Sequence, residues 1–209
     1  MGIRAEPLGF IHQCLCFLRP SLKFNGIKMV ELGDQMMNFK GFIKIRKNAR
    51  FLSKQYFETM GFNHTTIDWH GKNGAYPIDL SKPIEDPYWY NRFDILTNFG
   101  TSEHVENQYE CWKNMHNLVK KNGVFISIIP STTLEVDIYG NKSPHCNYCY
   151  QPQFIKDLSI ANSYDIIAMV AISTCGCAGY FYRKLSDEFV TTKEQIDSWI
   201  QKVETNDSI

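Results

Sequence analysis

Acidic residues and glycines follow three apolar segments of the chain, in the pattern of strands that end at a ligand site. The residues at these three segment ends are Glu31, Gly33 and Asp34, then Asp68, and then Asn98, Phe99 and Gly100. The carboxyl ends of parallel strands lie at one edge of a sheet, where carboxylates bind ligand hydroxyls and glycine lets the backbone approach the ligand. The sequence therefore predicts one binding edge formed by three strands.

The elements that position these residues alternate between strand and helix. Apolar runs predict strands at 27–32, 63–68, 93–98 and 124–129 and an extended piece at 75–80, and helical spacing predicts helices at 47–60, 104–121 and 151–163. Only four residues join the last two strands, 165–173 and 178–185, so they must be antiparallel. We predict an α/β fold with a doubly wound, mostly parallel seven-stranded sheet and one reversed strand.

Length and composition predict one domain over residues 1–209: a helical lead-in at 1–26, an α/β core at 27–185, and a C-terminal helix and tail at 186–209. The 22 basic residues equal the 22 acidic ones, so we predict no nucleic-acid partner. Apolar residues 10–18 are interrupted by His12 and Gln13 and are too few for a membrane span, which needs about 20. We predict neither a signal peptide nor a membrane partner.

Seven cysteines, an odd number, indicate reduced thiols and a cytoplasmic protein. Two close pairs, Cys146 with Cys149 and Cys175 with Cys177, contain enough thiolates for a tetrahedral zinc site. Buried free thiols are the simpler interpretation, because cysteine packs as a small apolar residue. We therefore predict no metal and leave the zinc site as an alternative.

Taken in order, the motifs resemble those of the class I S-adenosylmethionine-dependent methyltransferases over residues 27–184. The segment 31–33 resembles the family's first motif, Asp68 its acid after strand two, and residues 79–80 its acidic dipeptide after strand three. The segment 93–98 resembles the fourth motif, and residues 102–105 resemble the Glu-His-Val start of the next helix in small-molecule methyltransferases. Residues 34–37 differ from the family, because they replace its usual glycines.

The resemblance implies that S-adenosylmethionine is the cofactor and that its parts contact different strand ends. Asp68 would accept hydrogen bonds from the ribose hydroxyls, and Trp69 would pack on the adenine ring. Asp79 would accept from the adenine amino group, and the Leu80 amide would donate to a ring nitrogen. The implied cofactor-binding residues are Glu31, Gly33, Asp34, Asp68, Trp69, Asp79, Leu80, Asn98, Phe99 and Gly100.

Each of these side chains also has a purely structural interpretation. Neither Glu31 nor Asp68 by itself indicates a ligand site, because acids at strand ends often cap the following turn. Asp79 fits an Asx turn, and Trp69 fits packing against the sheet edge. Only the ordered combination favours a ligand site.

Methyl transfer needs positioning and, for some acceptors, a base that removes a proton. The candidate catalytic residues are His104, Glu103 and His145. Glu103 and His104 fit equally well as the cap and first turn of a helix. His145 lies in a long loop, 131–151, which we predict to recognise the acceptor.

The sequence thus predicts S-adenosylmethionine-dependent methyl transfer to a small-molecule acceptor. The alternative is a noncatalytic module that keeps the fold but has lost cofactor use, and the unusual residues after Gly33 motivate it. A nicotinamide-dependent oxidoreductase is disfavoured, because no Gly-x-Gly-x-x-Gly motif follows the first strand.

Overall fold

The computed structural model describes residues 2–3, 5–37, 51–131, 146–172 and 176–203. Its α-helices are α1 (Ala5–Leu18), α2 (Ser53–Thr59), α3 (Gln108–Leu118), α4 (Pro152–Asn162) and α5 (Lys193–Trp199). Its strands are β1 (Gly2–Ile3), β2 (Lys28–Leu32), β3 (Met36–Met37), β4 (Phe51–Leu52), β5 (Asn63–Ile67), β6 (Phe93–Phe99), β7 (Val119–Pro130), β8 (Tyr148–Tyr150), β9 (Tyr164–Ile172), β10 (Cys177–Lys184) and β11 (Ile200–Lys202). Short 3-10 helices cover Lys72–Gly74, Pro87–Trp89 and Ser102–His104.

The central sheet has the strand order β5-β2-β6-β7-β10-β9. The strands β5, β2, β6 and β7 are mutually parallel, whereas β10 is antiparallel to both of its neighbours. The predicted mostly parallel sheet with one reversed strand is therefore confirmed. Its parallel half places four strand ends at one edge, and Gly33, Asp68 and Gly100 directly follow three of them.

The predicted number of seven strands is wrong, because the central sheet has six strands in the described part of the chain. The missing strand is the extended piece at 75–80, where Tyr76 makes only an isolated bridge with Ile67. Pro77 has no N–H to continue a ladder, and the Ile78 amide donates back to the Tyr76 carbonyl at 2.9 Å. The segment therefore turns away from β5 after a single bridge.

Two predicted helices begin later than their sequence patterns suggest. The helix predicted at 104–121 begins at Gln108, because Asn107 caps it by accepting a hydrogen bond from the Glu110 amide at 3.2 Å. The helix predicted at 47–60 contains α2 only, since residues 51–52 form β4 and residues 47–50 lie outside the described chain. The C-terminal helix is also shorter than predicted and continues as β11.

Helices cover both faces of the sheet and form two apolar cores. On one face α1 and α2 bury Phe10, Ile11 and Phe57 against the strands. On the other face α3, α4 and α5 bury residues that include Trp112 and Phe154. This two-layer cover confirms the doubly wound arrangement. No helix among the described residues has the length and apolar character of a membrane span.

Two small sheets flank the central one. The strands β1, β3 and β4 form the first, in which β3 and β4 are antiparallel. This pairing brings the start of α2 next to Gln35, whose carbonyl accepts from the Ser53 amide at 3.0 Å. The strands β8 and β11 form the second sheet and connect the C-terminal segment to the region beside β7.

A buried polar cluster of Glu31, Gln35, Ser53 and His64 joins β2 to the start of α2. Glu31 is 1% exposed, and its Oε2 lies 2.6 Å from the Ser53 hydroxyl and 3.5 Å from Nε2 of His64. The same hydroxyl lies 3.1 Å from the Gln35 carbonyl oxygen. The Ser53 hydroxyl has a single proton, which it donates to the Glu31 carboxyl or to the Gln35 carbonyl.

Burial keeps this Glu31–His64 pair neutral. It raises the pKa of Glu31 from 4.5 to about 8, and together with the charge of Lys54 it lowers the pKa of His64 to about 4. Between these values neither side chain is charged, so the 3.5 Å contact is not an ion pair. Oε1 of Glu31 and both ring nitrogens of His64 have no hydrogen-bond partner in the described structure.

The neutral state of Glu31 predicts a pH dependence of stability. The folded chain binds the Glu31 proton more tightly than the unfolded chain does. The stabilisation that results is complete below pH 4.5 and is lost as the pH rises through about 8. The loss is at most about 1.4 kcal/mol per pH unit. We expect Glu31→Gln to reduce the fall in unfolding free energy, measured by urea denaturation at several pH values between about 5 and 8.

The matched control is Glu188→Gln, because Glu188 is an exposed carboxylate. It should leave the pH dependence of stability as in the wild type. An unchanged pH dependence in Glu31→Gln would show that Glu31 is charged in the folded chain at neutral pH.

Candidate functional site

The turns after β2, β5 and β6 meet at the carboxyl edge of the sheet, beside the end of β7. The Gly33 amide donates to the Ile67 carbonyl at 2.8 Å, which joins the ends of β2 and β5. The Gly100 amide donates to the Ile128 carbonyl at 3.0 Å, which joins β6 to β7. The structure therefore brings together the predicted site residues at the ends of β2, β5 and β6.

Asp68 connects the turn after β5 with the turn after β2. Its Oδ2 accepts from the Asp34 amide at 3.1 Å, and its Oδ1 accepts from the His70 amide at 2.8 Å. The second contact caps the following turn, which is the structural role that the sequence left open for Asp68. Each carboxylate oxygen has further lone pairs, so Asp68, which is only half-buried, can still accept from two ligand hydroxyls. The Asp34 carboxylate itself accepts from the Asn73 amide group.

Thr101 occupies the space directly beside Gly33. Its hydroxyl lies 2.7 Å from the Leu32 carbonyl oxygen, to which it donates, and the Gln35 amide group lies 3.4 Å from the hydroxyl. Gly33 has φ +77°, and a Cβ at this position would lie 2.5 Å from Thr101 Oγ1. Only glycine satisfies both conditions. Sequence reasoning missed Thr101, because its partner is 69 residues away.

Asn98 supports the turn after β6 from within the core. It is fully buried, its Oδ1 accepts from the Ser102 amide at 3.1 Å, and its Nδ2 donates to the Ser102 hydroxyl at 2.8 Å. Phe99 is buried in the core beneath α1 and α2. At the edge, this turn exposes the backbone of Gly100. Gly100 is half-buried and has φ +74°.

A chain of hydrogen bonds continues from Ser102 into the other core. The Tyr150 hydroxyl lies 3.2 Å from Ser102 Oγ and 2.6 Å from Oε1 of Gln108. Gln108 also borders a polar surface cleft of about 290 Å³. The cleft is lined by Ser81, Glu106, Asn107, Gln108, Lys193 and Asp197. The end of β6 is thus linked to this cleft through three buried side chains, those of Ser102, Tyr150 and Gln108.

Glu103 and His104 lie in the 3-10 helix after β6 and not at the start of α3. Asn107 caps α3, so the capping role that the sequence left open for them is filled by another residue. Glu103 is 2% exposed, and its Oε2 has no hydrogen-bond partner in the described structure. Burial, and then the charge of Cys149, raises the pKa of Glu103 to about 8. The His104 side chain is exposed, and its carbonyl accepts from Nδ2 of Asn147 at 3.2 Å.

The residues implied to contact adenine are placed differently from one another. Trp69 is 71% exposed beside Asp68, with its ring 3.9 Å from that of His70. Asp79 forms an Asx turn with Ser81, whose amide and hydroxyl lie 3.0 Å and 2.6 Å from its Oδ1, and these bonds lower its pKa. Leu80 is buried in the core beneath α3.

Some predicted site residues do not reach this edge or cannot be placed. Glu31 lies in the buried cluster between β2 and α2, where it supports the turn from below. His145 lies outside the described residues, as does most of the loop predicted to recognise the acceptor, 132–145. Cys175 is also outside them. Among the described residues, no group of three or more His, Cys, Asp or Glu side chains is arranged to hold a metal ion.

Solved structures of methyltransferases resemble this chain. A Burkholderia thailandensis 1,6-didemethyltoxoflavin-N1-methyltransferase, solved with 1,6-didemethyltoxoflavin and S-adenosylhomocysteine, has a TM-score of 0.55 at 12% identity over 85% of this chain and 79% of its own. S-adenosylmethionine-dependent methyltransferases from Mesorhizobium loti and Aquifex aeolicus have TM-scores of 0.53 and 0.51, each at 11% identity. The matches cover 79% and 81% of this chain and 96% and 88% of theirs.

The sequence by itself matches no protein-family model and no curated protein. At identities of 11–12% the structural likeness establishes the fold and not the activity. The chain therefore has the class I methyltransferase fold, as the order of its motifs predicted.

Proposed function

We propose that this protein transfers a methyl group from S-adenosylmethionine to a small-molecule acceptor. The observation that carries the proposal is the meeting of Gly33, Asp68 and Gly100 at three adjacent strand ends. A half-buried carboxylate lies there between two turns whose glycines have positive φ, which suits a ligand that carries hydroxyls and approaches the backbone. The small-molecule acceptor bound to the Burkholderia neighbour supports the acceptor class.

The residues at the edge fit the parts of this cofactor. Asp68 would accept from the two ribose hydroxyls, and the exposed Trp69 beside it would cover the adenine ring. The backbone of Gly33, Asp34 and Gly100 would line the methionine end. When bound, the cofactor supplies an activated methyl group, so the protein has to position the acceptor and remove its proton.

Glu103 is our candidate for the base. Its carboxyl is buried in the turn that directly follows β6, and one of its oxygens has no hydrogen-bond partner in the described structure. A pKa raised to about 8 makes the carboxylate a stronger base than an ordinary glutamate. His104 on the same turn is exposed and is the second candidate, and His145 remains a candidate from the sequence.

A noncatalytic module is the second candidate function, and the packing around Gly33 favours it. The Thr101 and Gln35 side chains fill the space beside that glycine, and both Asp68 oxygens already accept backbone hydrogen bonds. In this case the edge would keep its shape without a cofactor. Binding of S-adenosylhomocysteine distinguishes the two functions, because only the enzyme requires it.

The proposal places the protein in the cytoplasm. The six cysteines in the described chain are free thiols, the form that a reducing compartment maintains. Neither nucleic acid nor a membrane is among the partners that we propose.

Asp68→Asn tests the cofactor site. The amide keeps an oxygen for the His70 backbone but loses the charge that strengthens hydrogen bonds to hydroxyls. We expect the affinity for S-adenosylhomocysteine, measured by calorimetry, to fall about 10-fold or more. Asp157→Asn is the control and should bind like the wild type. Asp157 lies in the middle of α4 and accepts a hydrogen bond from Gln153 on the same helix.

Two results would contradict the cofactor site. Absence of binding by the wild type at high ligand concentration would favour the noncatalytic module. Binding that is equal in the wild type and in Asp68→Asn would move the ribose contact to another residue.

Glu103→Gln tests the base. With radiolabelled S-adenosylmethionine and a panel of phenols, amines and carboxylic acids as acceptors, the wild-type rate should rise with pH and level off above about 8, where Glu103 is ionised. The variant should lose about 100-fold or more in rate while it keeps its affinity for S-adenosylhomocysteine. His104→Ala is the matched variant on the same turn. Loss of activity in His104→Ala alone would assign the base to the histidine.

A further inference from the structure

Two buried cysteines, Cys146 and Cys149, lie in sulfur contact beside the turn that carries Glu103. Their Sγ atoms are 3.8 Å apart, and the side chains are 2% and 7% exposed. A disulfide requires a separation of about 2.05 Å, so a small shift of the two side chains brings them to bonding distance. Neither thiol has a role in the proposed methyl transfer.

The backbone around the two thiols is fixed to that turn and to the C-terminal segment. The Asn147 amide donates to the Glu103 carbonyl at 3.0 Å, and the Tyr148 hydroxyl donates to the Glu106 carbonyl at 2.9 Å. The Val203 amide in turn donates to the Asn147 carbonyl at 2.8 Å. These bonds anchor the backbone that carries the two cysteines, whose sulfurs are in contact.

The two thiols differ in acidity. The hydrogen bond between the two sulfurs lowers the pKa of Cys149 and, together with burial, raises that of Cys146. Cys149 is therefore the thiol that ionises first, and it is also the more exposed of the two. Glu103 is mostly protonated at neutral pH, so its charge does not oppose the thiolate.

We propose that Cys146 and Cys149 form an oxidisable dithiol, a modification site for hydrogen peroxide and related peroxides. The Cys149 thiolate attacks one oxygen of hydrogen peroxide, the O–O bond breaks, and Cys149 becomes a sulfenic acid. The departing hydroxide takes up a proton from the solvent and leaves as the first water. The Cys146 sulfur then attacks the Cys149 sulfur, the S–O bond breaks, and the second water leaves. Two electrons pass from the dithiol to the peroxide, and a thiol reductant reverses the reaction.

The test uses the full, reduced chain treated with hydrogen peroxide, then alkylated and digested for mass spectrometry. We expect a peptide in which Cys146 is linked to Cys149, with the loss of two hydrogen atoms and recovery on addition of a thiol reductant. Cys146→Ser should accumulate a sulfenic acid at Cys149 that dimedone captures. Cys149→Ser should leave Cys146 reduced.

Cys111 and Cys16 provide the controls within the same chain. Cys111 is fully buried in α3, so Cys111→Ser should form the link as the wild type does. Cys16 is exposed and reports that the peroxide has reacted. Oxidation of Cys16 without the Cys146–Cys149 link would overturn the proposal, and so would stoichiometric zinc that is bound by these thiols in the purified protein.

The linked peptide is measured without any assay of methyl transfer. Its absence would overturn the dithiol and leave the proposed enzyme intact. Conversely, a failure to bind S-adenosylhomocysteine would overturn the enzyme and leave the dithiol intact.

Discussion

The close approach of Thr101 to the turn after β2 is the contact on which the candidate site depends. The Thr101 hydroxyl donates to the Leu32 carbonyl, and the space that it occupies is the space a Cβ on Gly33 would need. The ends of β2 and β6 therefore form one unit, to which the Gly33 amide adds the end of β5. A side chain from the turn after β6 thus orders the turn after β2.

Burial acts on two carboxyls in the same way but with different consequences. Glu31 and Glu103 are 1% and 2% exposed, each has an oxygen without a hydrogen-bond partner in the described chain, and each has its pKa raised to about 8. Glu31 is enclosed by Ser53 and His64, so its neutral form stabilises the junction of β2 with α2. Glu103 lies in the turn that follows β6, where a change of charge can serve chemistry.

The sequence predicted the features that are encoded in single segments. The runs at 27–32, 63–68 and 93–98 predicted three strands and their shared edge, and the structure has strands that end at Leu32, Ile67 and Phe99. The predicted seventh strand failed at Pro77, where the missing N–H outweighs the extended pattern around it. Contacts such as Asn98 with Ser102 were missed although they are close in sequence, because the turn geometry decides them. Contacts between Glu31 and Ser53 or between Thr101 and Leu32 require the tertiary fold and leave no local pattern.

Glu103 and Cys149 both lie in a buried region, where ionisation of one disfavours ionisation of the other. Burial raises the pKa of Glu103, and the charge of Cys149 raises it further, so the thiolate and the carboxylate oppose each other. A base must become ionised to act, whereas the thiolate is favoured when the nearby carboxyl is neutral. In the disulfide form that we propose, one of the two charges no longer exists. The carboxylate then loses this smaller contribution to its raised pKa, whereas burial, the larger one, remains. Oxidation of the proposed dithiol therefore favours ionisation of the proposed base.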